Sequence, residues 1–486
     1  MFLAACVASL LTLTPHVGQA SSGASAEESA RTDEAPQAAA SPPRDVAALQ
    51  ARAWAIQQEV SRQRGIPSDT PVRVDVSSAD ELIARTLRLV EEEVGPERVR
   101  LAQRVNEMLG LLQPDEQYLD LLLGALGRQV AGFYDHREQA FHLLDSSEVN
   151  FATDIVEHEL VHALQDLRWK IGPIMRPGWV ASDVVDARSS LIEGDATLYM
   201  LQRYFTSPDA KETLRALRSA GLAMEEGFLS SESALPRFLA YSMISSYSRG
   251  LIFASSLYYQ EVGGGWPGVD GAFESLPLST EQLLYPERYS GPLRDEPTFL
   301  VNRLDASLLG VRSYIDIVGL LGIRGAWGDL LERTALASLV ESATSGWDGD
   351  RLEFWESDSS DTLVWTLVFD SEDDARSFYR LSSELVPFWL AEGEVRSAEA
   401  GYGERVGGAN GRRGVGMERW GDLVAIVIRD AHDAPGSGRA LDRQRERLQR
   451  DTLTLLHQAL TTSRRYAYPE LFRVSPGASG SGESAQ

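Results

Sequence analysis

From Ile155 to Leu167 the chain reads I-V-E-H-E-L-V-H-A-L-Q-D-L, an apolar repeat at helical spacing broken by Glu157, His158, Glu159 and His162. Apolar positions recurring every three or four residues turn a helix toward a core, and charged groups carried there need partners. Residues four apart stand one above the other on a helix face, so His158 and His162 can each aim a ring nitrogen at one point. A zinc ion with nitrogen ligands at about 2.0 Å fits that spacing, and Glu159, beside the first imidazole, reaches a water on the open side. The competing reading is an exposed helix edge with incidental histidines.

Catalytic zinc takes three protein ligands and keeps a fourth position for water. Cys6 is the one cysteine, so no intramolecular disulfide forms and the third ligand must be His or a carboxylate. The stretch downstream that fits is Ser190-Leu-Ile-Glu-Gly-Asp-Ala-Thr197. Glu193 sits there among small residues. Gly194 and Ala196 predict close packing on the motif helix, and Thr197, one turn on, is placed to hydrogen-bond a ligand. Asp195 and Asp186 are alternative ligands or supporting acids, and a solvated helix carboxylate is the plainer reading of Glu193.

At 486 residues the chain exceeds what one hydrophobic core usually organises. The pattern divides into an apolar leader over 1–20, a linker rich in Ala, Ser, Glu and Pro over 21–44, a mainly helical domain with a small β-sheet over 45–305, a smaller α+β domain over 306–474, and a Gly/Ser-rich tail over 475–486. The fold class is α+β. In the first domain, helices are predicted over 45–64, from a Ser78-Ala-Asp-Glu81 capping box, over 97–112, 116–126 and 183–205, and again between 212 and 260. A hairpin over 129–145 precedes the motif helix, and 277–289 reads as irregular loop. In the second domain, helical stretches near 314–319 and 325–342 lead into strands at 350–355, 362–369, 414–420 and 422–428, with helices over 371–391 and 440–460.

The formal charge of −25, with no basic block, excludes nucleic acid as a partner. The leader ends in small residues as an export signal does but lacks a basic start, while Leu3-Ala4-Ala5-Cys6 resembles a lipobox, in which case Cys6 carries lipid. The location expected is therefore exported: periplasmic, extracellular or lipid-anchored, with the membrane a partner only through Cys6.

His158-Glu-Leu-Val-His162 with the later Glu193-Gly-Asp-Ala-Thr197 resembles the gluzincin arrangement of zinc metallopeptidases. More closely, the chain resembles a group of mostly uncharacterised bacterial metallopeptidase-like proteins. The phrases that carry this are Val130-Ala-Gly-Phe-Tyr-Asp135, His158-Glu-Leu-Val-His-Ala-Leu-Gln-Asp166, Ile192-Glu-Gly-Asp-Ala-Thr197 and Ser279-Thr-Glu-Gln-Leu-Leu-Tyr-Pro-Glu-Arg-Tyr289, over roughly 59–289, and more loosely Gly346-Trp-Asp-Gly-Asp350. The resemblance implies one zinc held by His158, His162 and Glu193, with Glu159 as general base. In that group a His precedes the Pro-Glu pair, where this chain has Tyr285.

The function expected is hydrolysis of peptide bonds in a peptide or protein substrate by a zinc-activated water. Tyr247, Tyr285 and Tyr289 are candidate donors to the oxyanion. Val130–Asp135 or its partner over 140–145 would offer a sheet edge to an extended peptide. The alternatives are a catalytically inactive metal-binding pseudo-peptidase serving as an interaction protein, and another metal-dependent amide hydrolase.

Overall fold

The computed structural model describes residues 13–15, 46–144, 153–175, 181–205, 207–232, 234–391, 393–400, 403–433 and 437–469. The linker, the tail and the lipobox at Cys6 lie outside them, as does the leader apart from strand β1 (Leu13–Pro15). The architecture is α+β, a helical region followed by a β-sheet unit. No described helix is long and apolar enough to cross a membrane.

Helix α1 (Val46–Arg64) leads to strand β2 (Arg73–Ser77) and helix α2 (Ala79–Leu89). The Ser78 hydroxyl accepts from the Glu81 amide and the Glu81 carboxylate from the Ser78 amide, completing the capping box. Helix α3 (Pro96–Leu109) stops at Gly110, whose φ of +77° is left-handed and where a Cβ would press on the Phe388 ring. After α4 (Tyr118–Gln129), strands β3 (Val130–Asp135) and β4 (Ala140–Leu144) form the hairpin. The sheet order is β1-β3-β4-β2. β4 is therefore interior and offers no edge for a peptide, whereas the outer edge of β3 pairs antiparallel with β1. Phe141 and Leu143 of β4 pack with Val156, Leu160 and Leu164 of helix α5 (Thr153–Trp169), which carries the motif.

Helix α6 (Ser182–Gln202) carries Glu193 and crosses helix α8 (Arg237–Tyr258) at a glycine pair. A Cβ on Gly194 would collide with the Gly250 carbonyl, and one on Gly250 with the Ser190 carbonyl. Gly194 thus serves the approach of α8, not of α5 as the sequence suggests. Helix α7 (Ala210–Ser231) is separate from α8, because Pro236 at the start of α8 has no amide hydrogen to continue a helix. After helix α9 (Trp266–Glu274), the expected loop over 277–289 holds helix α10 (Thr280–Leu284), capped by Ser279, and one more turn, Pro286–Tyr289.

Strand β5 (Phe299–Val301) pairs with Arg464–Tyr466 beside the second region, a seven-stranded sheet in the order β6-β7-β8-β12-β11-β10-β9, antiparallel throughout. Its strands are β6 (Val311–Asp316), β7 (Trp347–Glu356), β8 (Ser360–Phe369), β9 (Val395–Ala400), β10 (Gly403–Ala409), β11 (Arg413–Trp420) and β12 (Leu423–Ala431). The helix expected near Tyr314 is instead β6, with Tyr314 and Asp316 buried two apart as on a strand. Helix α11 (Gly319–Leu330) follows, helix α12 (Glu372–Ser383) ends earlier than expected, and helix α13 (Arg439–Thr462) closes the unit. Along β8, Leu363, Trp365 and Leu367 face Trp327 and Phe378, while Val364 faces Leu455 and Leu456 of α13. Both faces of the sheet are covered. One apolar cluster runs from Leu82 in α2 through Trp327 and Trp365 to Tyr468, so the two regions share a core.

Three buried carboxylates stitch that junction. Asp316 accepts from the Ser182 amide at 2.8 Å and hydroxyl at 2.5 Å, capping α6. Asp350 accepts from the Val318 and Gly319 amides at the start of α11 and from the Trp347 and Trp365 indoles. Asp183 accepts from the Thr280 amide and hydroxyl. These bonds satisfy helix amides that would otherwise lack partners. Among the described residues every hydrogen-bond donor to the three is neutral. Burial pushes Asp350 up to about 7 and Asp183 up to about 8.

The unfolded carboxyl groups titrate near about 3.9, so between that value and 7–8 the folded state binds more protons, and stability falls as pH rises through this window. The Oδ2 atom of Asp183 has no hydrogen-bond partner among the described residues, so an amide there removes no bond. Asp183→Asn is expected to be stabilising, and by at least about 1 kcal/mol more at pH 8 than at pH 5, as measured by denaturant unfolding of metal-free protein. Equal effects at both pH values would contradict the assignment.

Candidate metal centre

His158 and His162 project from α5 and Glu193 from α6 into one buried point, with residue exposures of 0%, 0% and 2%. The Nε2 atoms of the two imidazoles are 3.0 Å apart, and Glu193 Oε2 lies 3.1 Å from His158 Nε2 and 3.2 Å from His162 Nε2. Ligands at 2.0–2.1 Å from a tetrahedral ion stand about 3.3 Å from one another, so the set is close to ligand spacing without rearrangement. The rings meet edge to face at 80°, which lets both nitrogens turn inward from successive helical turns.

Electrostatics follow from this crowding. Burial works to raise the Glu193 carboxyl, yet the two imidazoles, His162 foremost, hold it below the ordinary carboxylate range. Burial opposes a charge on His162, but the Glu193 carboxylate outweighs it and lifts the imidazole to about 9. His158 moves the other way, driven down by burial. One positive charge is thus drawn between the three groups, by a proton or by a metal ion.

Support comes from a relay that begins behind His162. Its Nδ1 lies 2.8 Å from Gln165 Oε1. The amide nitrogen of Gln165 already donates to the Ile192 carbonyl at 3.0 Å and to Asp195 Oδ2 at 2.8 Å. Its oxygen can therefore only accept, which keeps a proton on His162 Nδ1, so that the neutral ring turns an Nε2 lone pair toward the centre. Asp195 is in turn held by Arg64 Nε at 2.7 Å, and Arg64 Nη2 reaches Asp270 Oδ1 at 2.7 Å, with the guanidinium 4.3 Å from the Trp266 ring centroid. Asp195 is thus a support at two removes from the metal point. Of the relay, Gln165 was within reach of sequence reasoning, being three residues beyond His162 on one helix face. Arg64 and Asp270, from α1 and α9, leave no local signal.

The remaining candidates divide. Glu159 is fully buried, and its charge acts on both His162 and Tyr247. The Tyr247 ring, on α8, lies 6.0 Å from that of His158, and burial followed by the Glu193 and Glu159 carboxylates holds its phenol well above the ordinary value. Tyr285 accepts from Arg324 at 2.6 Å and Tyr289 donates to the Ser275 carbonyl at 2.7 Å, so neither phenol is directed to the centre. Thr197 is buried but makes no hydrogen bond to a ligand among the described residues. Asp186, raised by burial and then by Asp183 and Asp316, belongs electrostatically to the acidic junction.

A family described as a domain of unknown function, DUF8575, matches residues 312–438, the stretch that builds the seven-stranded sheet. No curated protein and no solved structure matches the chain.

If Gln165 fixes the His162 tautomer, Gln165→Met should weaken zinc binding by about 10–100-fold in competition with a chromophoric chelator, with far-UV circular dichroism unchanged. Undiminished affinity would remove Gln165 from the site.

Proposed function

We propose that the chain is a zinc-dependent peptidase of the gluzincin type that hydrolyses amide bonds in peptides or proteins. The observation that supports this reading most directly is the meeting of His158 Nε2, His162 Nε2 and Glu193 Oε2 at 3.0–3.2 Å in a buried site. Two imidazoles and a carboxylate are a donor set that zinc takes readily. His158, His162 and Glu193 would hold the ion, which when bound supplies Lewis acidity and brings the pKa of a water to about 7.

The other steps belong to the chain. Glu159, adjacent to a ligand and shielded from solvent, takes the proton of the attacking water and returns it to the leaving amine. Tyr247, its phenol held neutral by burial between carboxylates, donates to the oxyanion as charge develops on the scissile carbonyl. Extended substrate would add antiparallel to β3 only in place of the chain's own residues Leu13–Pro15, which pair with that edge.

Glu159→Gln is expected to lower kcat/KM on an unstructured protein substrate by about 100-fold to 10,000-fold while zinc content stays unchanged. Cleavage that survives the substitution would refute the assigned base. A wild-type protein that holds zinc but cleaves neither unstructured protein nor muropeptides would return the site to a binding role.

A further inference from the structure

A second set of ligand-type atoms lies on the small sheet, away from α6. His142 of β4 has 2% of its side chain exposed, and its ring is stacked on Phe133 at 4.8 Å with the planes 10° apart. Its Nδ1 is 3.1 Å from the Ser77 hydroxyl, while its Nε2 has no hydrogen-bond partner among the described residues. That nitrogen lies 3.6 Å from Glu138 Oε2, too far for a hydrogen bond. Asp75 stands directly across from His142 in the parallel β2–β4 register. One ligand atom from each of Asp75, Glu138 and His142 falls within 4.8 Å of the others.

In the tautomer that donates Nδ1–H to Ser77, the Nε2 lone pair faces a carboxylate oxygen, and two acceptors in apposition call for a cation between them. The present cation is a guanidinium: Arg73 Nη2 lies 2.9 Å from both Asp75 Oδ2 and Glu138 Oε2. Its side chain is 53% exposed, and exposed ion pairs of this kind are weak, so it can leave at little cost. Arg85 grips the other oxygen, Glu138 Oε1, at 2.6 Å, and Asp135 at 2.7 Å, so it orients Glu138 without occupying the ligand position. With Arg73 turned out, Arg85 is the one cation among the described residues paired with Glu138 and Asp135, and the surroundings favour a divalent ion. Ser77 then plays toward His142 the part of the outer partner that fixes a ligating imidazole.

We propose that Asp75, Glu138 and His142 form a second divalent-metal site, selective for zinc or a similar ion that accepts imidazole nitrogen, which Arg73 vacates on binding. One nitrogen and two carboxylates disfavour calcium and magnesium, which prefer oxygen throughout. The ion would tie β2 to the β3–β4 hairpin, the element that precedes α5 in the chain.

The test is a zinc titration of the full chain already loaded with one equivalent, followed by calorimetry. A second equivalent is expected to bind, to weaken by at least about 10-fold in His142→Ala and in Glu138→Gln, and to tighten in Arg73→Ala. Absence of a second equivalent at millimolar zinc, or a second equivalent unaffected by His142→Ala, would overturn the site, and Arg73→Ala binding no tighter would overturn the displacement. Circular dichroism and retention of the first equivalent separate loss of ligands from loss of fold. Glu159→Gln should leave the second equivalent untouched, so failure of this site and failure of the hydrolytic reading are seen independently.

Discussion

Two imidazoles and a carboxylate, each nearly or fully withdrawn from water, stand about 3 Å apart where α5 meets α6. Such a meeting is unfavourable for three acceptors alone, and the chain has committed several elements to it. The Gly194–Gly250 crossing lets α8 lie against α6, and the same helix α8 brings Tyr247 beside His158. Gln165, Asp195, Arg64 and Asp270 fix the far side of His162 through a buried relay. Buried ion pairs of this sort add little net stability over apolar packing, but removing one partner from them is costly. Their arrangement here is better understood as holding an imidazole in one tautomer and one orientation.

The seven-stranded sheet takes part in that arrangement. Asp316, at the end of β6, caps the first turn of α6, and at 1.5 Å per residue Glu193 lies about 16 Å further along the same helix. Asp350 performs the same service for α11, and the apolar cluster between them is continuous. The region matched by the family of unknown function therefore anchors the helix that carries Glu193. The cost is a set of buried acids that, among the described residues, accept from neutral donors only, which makes the junction sensitive to pH.

The two His of α5 and the carboxylate of α6 were legible because each rests on short-range periodicity: a four-residue spacing on one face, and a lone acid among small residues. The capping box at Ser78 was legible for the same reason. What the sequence hid depends on contacts distant along the chain. Gly194 reads as a small residue but does not say that its neighbour is Gly250. The strands β9 and β10 carry Gly, Arg and Glu where alternation is expected, so the sequence predicts no element over this edge meander. Tyr314–Gly319 resembles helix in sequence because β6 is short and its inward residues, Tyr314 and Asp316, are not both apolar. Tyr247, Tyr285 and Tyr289 are equivalent in sequence, and only the fold sets them apart, with α8 bringing Tyr247 beside His158.

X-ray absorption at the zinc edge, on protein loaded with one equivalent, addresses the central claim most directly. The account predicts a first sphere of two imidazole nitrogens at about 2.0–2.1 Å and carboxylate and water oxygens at about 2.0–2.2 Å, with the imidazole signal lost in His158→Ala. A sphere of oxygens alone, or an imidazole signal that persists in that variant, would contradict it.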